Sequence, residues 1–209
     1  MQILQRLQIS LTFLCYNESS IGGAIMLKIL FIVGSLRKDS FNLQLAQATE
    51  KYLEGKAEVK SLNYKDEPLF NQDIEFPAPL AVISVREDVK NADAIWIFTP
   101  EYNHYFPGVL KNLLDWLSRP AGKGEGNVLN GKPVALSGIT PGMSGTALVQ
   151  DHLVTLLSFL NMKIMNVPRL TIPNAMTQLD KNGKLTLTTS AKFLEKQAEA
   201  FLAFVENNK

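Results

Sequence analysis

Leu27-Lys-Ile-Leu-Phe-Ile-Val33 runs directly into Gly34-Ser-Leu-Arg-Lys-Asp-Ser-Phe-Asn42, and the reading of this junction decides the fold. The first segment is apolar except for Lys28, which predicts a strand buried on both faces, as in a parallel sheet. The second is a loop that opens a helix at Phe41-Asn-Leu-Gln-Leu-Ala-Gln-Ala48. A helix N-terminus offers free N–H groups and a partial positive charge, which suit a phosphate. Ser35, Ser40 and Asn42 add neutral donors, and Arg37 adds a charged one. The alternative is that Ser40 only N-caps the helix and Arg37 lies in solvent.

The loop limits the kind of phosphate. Of the three glycines in the dinucleotide fingerprint G-x-G-x-x-G, only Gly34 fits, since Leu36 and Asp39 hold the other two positions. The lysine-bearing P-loop is absent as well. Hydroxyl and amide side chains in place of glycines favour a terminal monophosphate, which presents more oxygens to satisfy.

Outward from this junction, strand-like and helix-like segments alternate. Residues 57–62 have a short period-2 pattern, and residues 82–91 read as a helix leading to the buried strand Asp93-Ala-Ile-Trp-Ile-Phe-Thr99. Residues 68–79 contain three prolines and predict irregular surface chain. A helix is expected over 108–118, with Val109, Leu110, Leu113, Leu114 and Leu117 on one face. A glycine-rich loop covers 120–131, followed by a strand at Pro133-Val-Ala-Leu-Ser137, a helix over 146–160, a short strand at 169–172 and a last amphipathic helix over 190–205. Strands separated by helices imply right-handed crossovers and a parallel sheet covered on both faces. The expectation is an α/β, flavodoxin-like fold: five parallel strands in the order 2-1-3-4-5, with the ligand at the switch between strands one and three.

That topology gives the other half of the site to Pro100-Glu-Tyr-Asn-His-Tyr-Phe-Pro-Gly108. A flat heteroaromatic ring needs an apolar face and a few donors at its polar edge. Tyr102 or Tyr105 supplies the first, and Asn103 with backbone N–H groups the second; the plainer reading is a hairpin-like turn whose aromatics cap the core. Ser137-Gly-Ile-Thr-Pro-Gly-Met-Ser-Gly145 follows the fourth strand at the same edge, and its glycines allow backbone close to a ligand. Three loops thus share one crevice, with phosphate at one end and ring at the other.

Composition narrows the classes. The chain has 209 residues, 21 basic and 20 acidic, so no net field steers it to nucleic acid or to a membrane surface. One cysteine, Cys15, excludes an intramolecular disulfide and a thiolate metal cluster, and two histidines, His104 and His152, are few for a metal site. No apolar run reaches transmembrane length, and the whole fits a cytoplasmic protein. Residues 1–25 read differently from the rest. A signal peptide is one account. The better one is a translated leader outside the fold: Met26 immediately precedes the first strand, and codons for Ile21-Gly22-Gly23 can spell a purine-rich ribosome-binding site. The folded unit is then 26–209.

From Leu27 onward the chain resembles the NAD(P)H-dependent FMN reductases, the flavodoxin-like quinone, azo-dye and chromate reductases. The resemblance rests on Gly34-Ser-Leu-Arg-x-x-Ser-Phe-Asn42, Thr99-Pro-Glu-Tyr-Asn103 and Pro107-Gly-x-Leu-Lys-Asn-x-x-Asp-Trp-Leu-Ser-Arg119. It implies FMN as cofactor and NADPH or NADH as co-substrate. Cofactor contacts follow at Ser35, Leu36, Arg37, Ser40, Phe41 and Asn42 for the phosphate, and at Pro100, Glu101, Tyr102, Asn103 and His104 for the ring. The backbone around Ser137 and Gly138 is expected to line the flavin. His104 stands where a tyrosine is common and is a candidate proton donor, although flavin chemistry takes protons from water without a protein acid.

The implied reaction is ping-pong two-electron transfer from NAD(P)H to a quinone or similar small-molecule acceptor, such as an azo dye, chromate or free flavin. A flavodoxin-type electron carrier and a redox-sensing regulatory flavoprotein are the alternatives. A homodimer or homotetramer is expected, with Trp116 and the helix carrying His152 as interface candidates.

Overall fold

A computed structural model describes residues 26–122 and 124–208 of the chain; the leader proposed for residues 1–25 lies outside the described residues. Strands β1 (Leu27–Val33), β2 (Ala57–Ser61), β3 (Ala94–Phe98) and β4 (Pro133–Ile139) pair in parallel. Two short strands, β5 (Lys163–Ile164) and β6 (Leu170–Ile172), also run parallel to β4, giving the order β2-β1-β3-β4-β5. The fifth position is therefore shared: β5 pairs Pro133 and Val134, and β6 pairs Ser137 to Ile139. The reading of the sequence found the β6 region and missed β5, since two residues carry no periodicity.

Helices α1 (Phe41–Leu53), α2 (Leu80–Asn91), α3 (Gly108–Leu117), α4 (Ala147–Phe159) and α5 (Ala191–Glu206) cover both faces. The alternation of side chains along β1 assigns them. Leu30 and Ile32 join Ile95, Ile97, Val134 and Leu136 under α2, α3 and α4. Ile29, Phe31 and Val33 join Trp96, Phe98 and Ala135 under α1 and α5. β3 and β4 are buried along their whole length, which is why they read as unbroken apolar runs rather than as alternating ones. Among the described residues no helix is long and apolar enough to cross a membrane.

Two expectations about α3 change. Val109 is partly exposed rather than part of the packed face. Trp116 is fully buried within its own chain: its indole N–H donates to the Pro68 carbonyl at 2.8 Å and its ring meets Phe70 edge-on at 4.9 Å. It is thus unavailable as an interface residue. The proline-rich 68–79 connection is irregular as expected, apart from a 3-10 turn at Gln72–Ile74. It lies against α3 because Pro68 also accepts from the Asn112 amide, while the Phe70 N–H donates to Asn112 Oδ1.

Beneath α5 runs a polar chain through the core. The Trp96 indole donates to Ser137 Oγ at 2.9 Å, and Ser137 donates to Gln197 Oε1 at 2.6 Å. The Gln197 amide donates to the carbonyls of Leu136 and Pro168 at 2.8 and 3.0 Å. These polar atoms satisfy one another, which is the condition for keeping them in an apolar interior. Replacing Gln197 by Leu removes three of these bonds. It should lower the unfolding free energy by about 2–3 kcal/mol, read from a urea titration; an unchanged midpoint would contradict the network's role.

Candidate functional site

The loops after β1, β3 and β4 leave the sheet at one edge, and short bonds pin each to the next. The Gly34 N–H donates to the Phe98 carbonyl at 2.7 Å, and the Thr99 N–H donates to the Ser137 carbonyl at 3.0 Å. Gly34 is glycine for a local reason: a Cβ there would stand 2.9 Å from Thr99 Oγ1. At Gly138 a Cβ would meet Thr146 Oγ1 at 2.2 Å and the Thr99 carbonyl at 2.5 Å. Thr99 and Thr146, both fully buried, are the packing partners that these glycines admit. Sequence reasoning passed over both threonines, because nothing local marks a buried hydroxyl residue as a wedge between loops.

The first loop presents what a phosphate requires. Ser40 occupies the N-cap position of α1 in extended conformation, yet its hydroxyl makes no capping bond. Its carbonyl takes the first helical bond, from Gln44 at 3.0 Å. The N–H groups of Phe41, Asn42 and Leu43 therefore have no intrahelical acceptor. Ser35 is half-buried, whereas Leu36 and Arg37 are exposed. The Arg37 guanidinium donates to the Asp39 carbonyl and lies 5.5 Å from the centre of the Phe41 ring. It is held over the loop rather than loose in solvent.

Asn42 does something the sequence did not announce. Its side chain is buried, and its amide clasps the backbone of Ile139 at the end of β4. Nδ2 donates to the Ile139 carbonyl at 3.0 Å, and Oδ1 accepts the Ile139 N–H at 3.1 Å. The contribution of Asn42 to a ligand is thereby left to its backbone N–H. The start of β1 is tied elsewhere, through the Lys28 N–H to the Asp93 carboxylate at 2.7 Å. At its other end, the Val33 carbonyl accepts from the buried Tyr64 hydroxyl at 2.6 Å. Burial, with Glu67 adding to it, pushes the Tyr64 phenol up from its ordinary range, so it remains a donor.

The second loop is a tight hairpin. Tyr102 and Tyr105 exchange N–H to carbonyl bonds at 2.9 Å in both directions, and Asn103 and His104 between them have φ of 52° and 63°. Positive φ at both central residues is the type I′ pattern. Asn103 is a residue that tolerates it and His104 is a less usual one. The hairpin-like reading was thus right in shape. Of its aromatics Phe106 packs into the core, whereas Tyr102 and Tyr105 do not and are about half exposed, at 52% and 48%. Glu101 points inward, its side chain 5% exposed. One carboxylate oxygen accepts the Val149 N–H in the first turn of α4 at 3.2 Å, and the other lies 3.4 Å from His104 Nδ1. A buried acid at a helix N-terminus is compensated by the helix amides and dipole.

The third loop differs in detail from expectation. Ser137 and Gly138 are buried inside β4, and the Ser137 hydroxyl is committed to the polar chain under α5. The part of this loop that reaches the surface is 141–144, where Met143 is 87% exposed. His152, on the helix expected at an interface, is exposed on α4, and its ring lies 4.5 Å from that of Tyr105.

The profile of the family described as NADPH-dependent FMN reductase matches residues 27–177. The chain belongs to this family. It is a flavodoxin-like flavoprotein and an oxidoreductase. Over 183 residues it is 37% identical to a 2-hydroxy-1,4-benzoquinone reductase of a Burkholderia species, a match that takes in 88% of this chain and 98% of the relative. An NAD(P)H-dependent FMN reductase of Pseudomonas aeruginosa is 34% identical over 180 residues, covering 86% and 95% of the two chains. Among solved structures, FerB of Paracoccus denitrificans, a flavoenzyme NAD(P)H:(acceptor) oxidoreductase, superposes with a TM-score of 0.79 at 35% identity, over 88% of this chain and 99% of that one.

Asn42→Ala should leave the buried N–H and carbonyl of Ile139 unpaired. The expected loss is about 2–4 kcal/mol of unfolding free energy, larger than that of an average buried polar truncation. Chemical denaturation of the two proteins measures it, and a loss within error of zero would mean that the clasp contributes nothing.

Proposed function

We propose that the chain is an FMN-dependent NAD(P)H oxidoreductase that passes two electrons to quinones and similar flat acceptors. The observation that carries this reading is the uncapped N-terminus of α1 beside an open aromatic hairpin, both at the carboxyl edge where the chains leaving the paired strands β1 and β3 turn to opposite faces of the sheet. A monophosphate fits the first feature. The N–H groups of Phe41 and Asn42, the hydroxyls of Ser35 and Ser40 and the guanidinium of Arg37 would hold it, with Leu36 as the turn between them. The ring would lie by Pro100, Glu101, Tyr102, Asn103 and His104, with the 140–145 backbone behind it and Ser137 and Gly138 buried beneath that loop. FMN supplies, when bound, the two-electron chemistry that links NAD(P)H to the acceptor.

The chain's own residues do the rest. Arg37 and the helix amides neutralise the phosphate charge. Tyr102 and Tyr105 offer aromatic area with no enclosing wall, which suits broad acceptor tolerance over tight selection. Glu101, fixed on α4, anchors the hairpin base and holds His104 beside the crevice. A single open surface must serve NAD(P)H and acceptor in turn. The family kinship and the relatives named as quinone reductases support the acceptor class.

We also propose a homodimer or a tetramer of dimers, seated on α4 in place of Trp116. Leu148, His152, Thr155 and Phe159 form one exposed stripe at helical spacing, Phe159 being 86% exposed, and the Tyr105–His152 contact joins that stripe to the hairpin. Light scattering should give a multiple of the 23.2 kDa chain mass, and Phe159→Glu should drive the protein toward that mass. A monomer in the unaltered protein would overturn the assignment.

Arg37→Ala should weaken FMN binding by about 1.5–3 kcal/mol, measured by flavin fluorescence titration. An unchanged dissociation constant would remove Arg37 from the site. Double-reciprocal plots of NADH or NADPH oxidation at several fixed quinone concentrations should be parallel. Intersecting lines would require a second binding surface.

A further inference from the structure

The turn that supplies Tyr64 also carries an acid with no hydrogen-bond partner. The Glu67 N–H donates to the Tyr64 carbonyl at 3.4 Å, while both of its carboxyl oxygens are shut from solvent and accept no hydrogen bond among the described residues. Facing it from α2 is Arg86, itself buried. Arg86 Nη2 donates to the Trp116 carbonyl at 3.0 Å, but its Nε is buried without a partner. Glu75 and Arg119, paired at 2.8 Å, complete the charges that act on Arg86. The Tyr64 hydroxyl is committed to Val33.

An ionised carboxylate in this place would be a buried charge with no hydrogen bond, compensated only by the Arg86 guanidinium, whereas a neutral carboxyl costs less. Burial pushes the Glu67 carboxyl up to about 7, against the opposing pull of Arg86. The segment around it is fastened on two sides. The Tyr64 bond to Val33 holds one end, and the bonds of Pro68 and Phe70 to Asn112 and Trp116 hold the other. Glu67 lies between these two attachments.

We propose that Glu67 is a proton-controlled latch: as a neutral acid it lets residues 63–71 close over α2 and α3, and on releasing its proton to solvent it forces that segment open until water reaches the carboxylate. The folded chain holds this proton more tightly than an ordinary glutamate near 4.5. The stability of the closed form is therefore full below that ordinary value and is lost as pH rises through about 7. The latch sits one hydrogen bond from the loop after β1, through Tyr64 and Val33, and its operation does not depend on what that loop binds.

Amide hydrogen exchange of the full chain without cofactor, corrected for intrinsic rates, tests it. Between pH 6 and 8, protection of peptides spanning 63–71 should fall by about tenfold, and Glu67→Gln, which cannot ionise, should remove the fall. Carbon NMR of labelled glutamates should show one carboxyl with a midpoint near neutrality that is missing from Glu67→Gln. The same pH response in both proteins, or a Glu67 midpoint in the ordinary glutamate range, overturns the proposal. Should the variant not fold, the titration of the unaltered protein still decides.

Discussion

The clasp of the Asn42 amide on the backbone of Ile139 is the interaction on which the rest of this edge depends. It fixes where α1 begins relative to the end of β4. The free amides of the first turn of α1 are aimed by the same stroke, since Asn42 belongs to that turn. A helix N-terminus attracts anions only in the direction its amides point. Holding it by a side chain of its own first turn sets that direction with no charged group spent on structure. Arg37 is thereby left for a ligand, apart from its bond to the Asp39 carbonyl and its approach to Phe41.

A second fixed point serves the hairpin. Glu101 reaches from the loop after β3 to the first turn of α4 and anchors a turn whose outer residues are half exposed. The two clasps share a logic. Each joins the chain that follows one strand to the backbone at the start or end of another element, so hydrogen bonds fix how the walls of the crevice stand to one another. A site with a firm floor and an open mouth fits the broad acceptor use proposed for it.

Much of this was legible in the sequence. Long apolar runs at 27–33, 93–99 and 133–137 predicted buried parallel strands because burial on both faces leaves no polar alternation to confuse the reading. Helix positions were recovered within a couple of residues for the same reason: amphipathic periodicity is a property of the segment alone. What escaped depends on partners distant in the chain. Asn42 looked like a ligand donor, since nothing near it reveals a partner 97 positions away. Trp116 looked like an interface residue until the Pro68 carbonyl gave its indole a partner inside the fold. The type I′ turn was half visible: Asn103 announces positive φ and His104 does not. Glu67 gave no signal at all, for a carboxylate reads as surface until the fold closes over it.

In the proposed complex the first turn of α1 takes the cofactor's phosphate and the 102–105 hairpin takes its ring. A crystal structure of the protein with FMN tests it most directly. The phosphate is expected against the N–H groups of Phe41 and Asn42 with Arg37 turned toward it, and the ring beside Tyr102 and Asn103. A phosphate seated elsewhere, for example in the groove between α1 and the 182–185 turn that carries Lys38, Lys51 and Lys184, would contradict it.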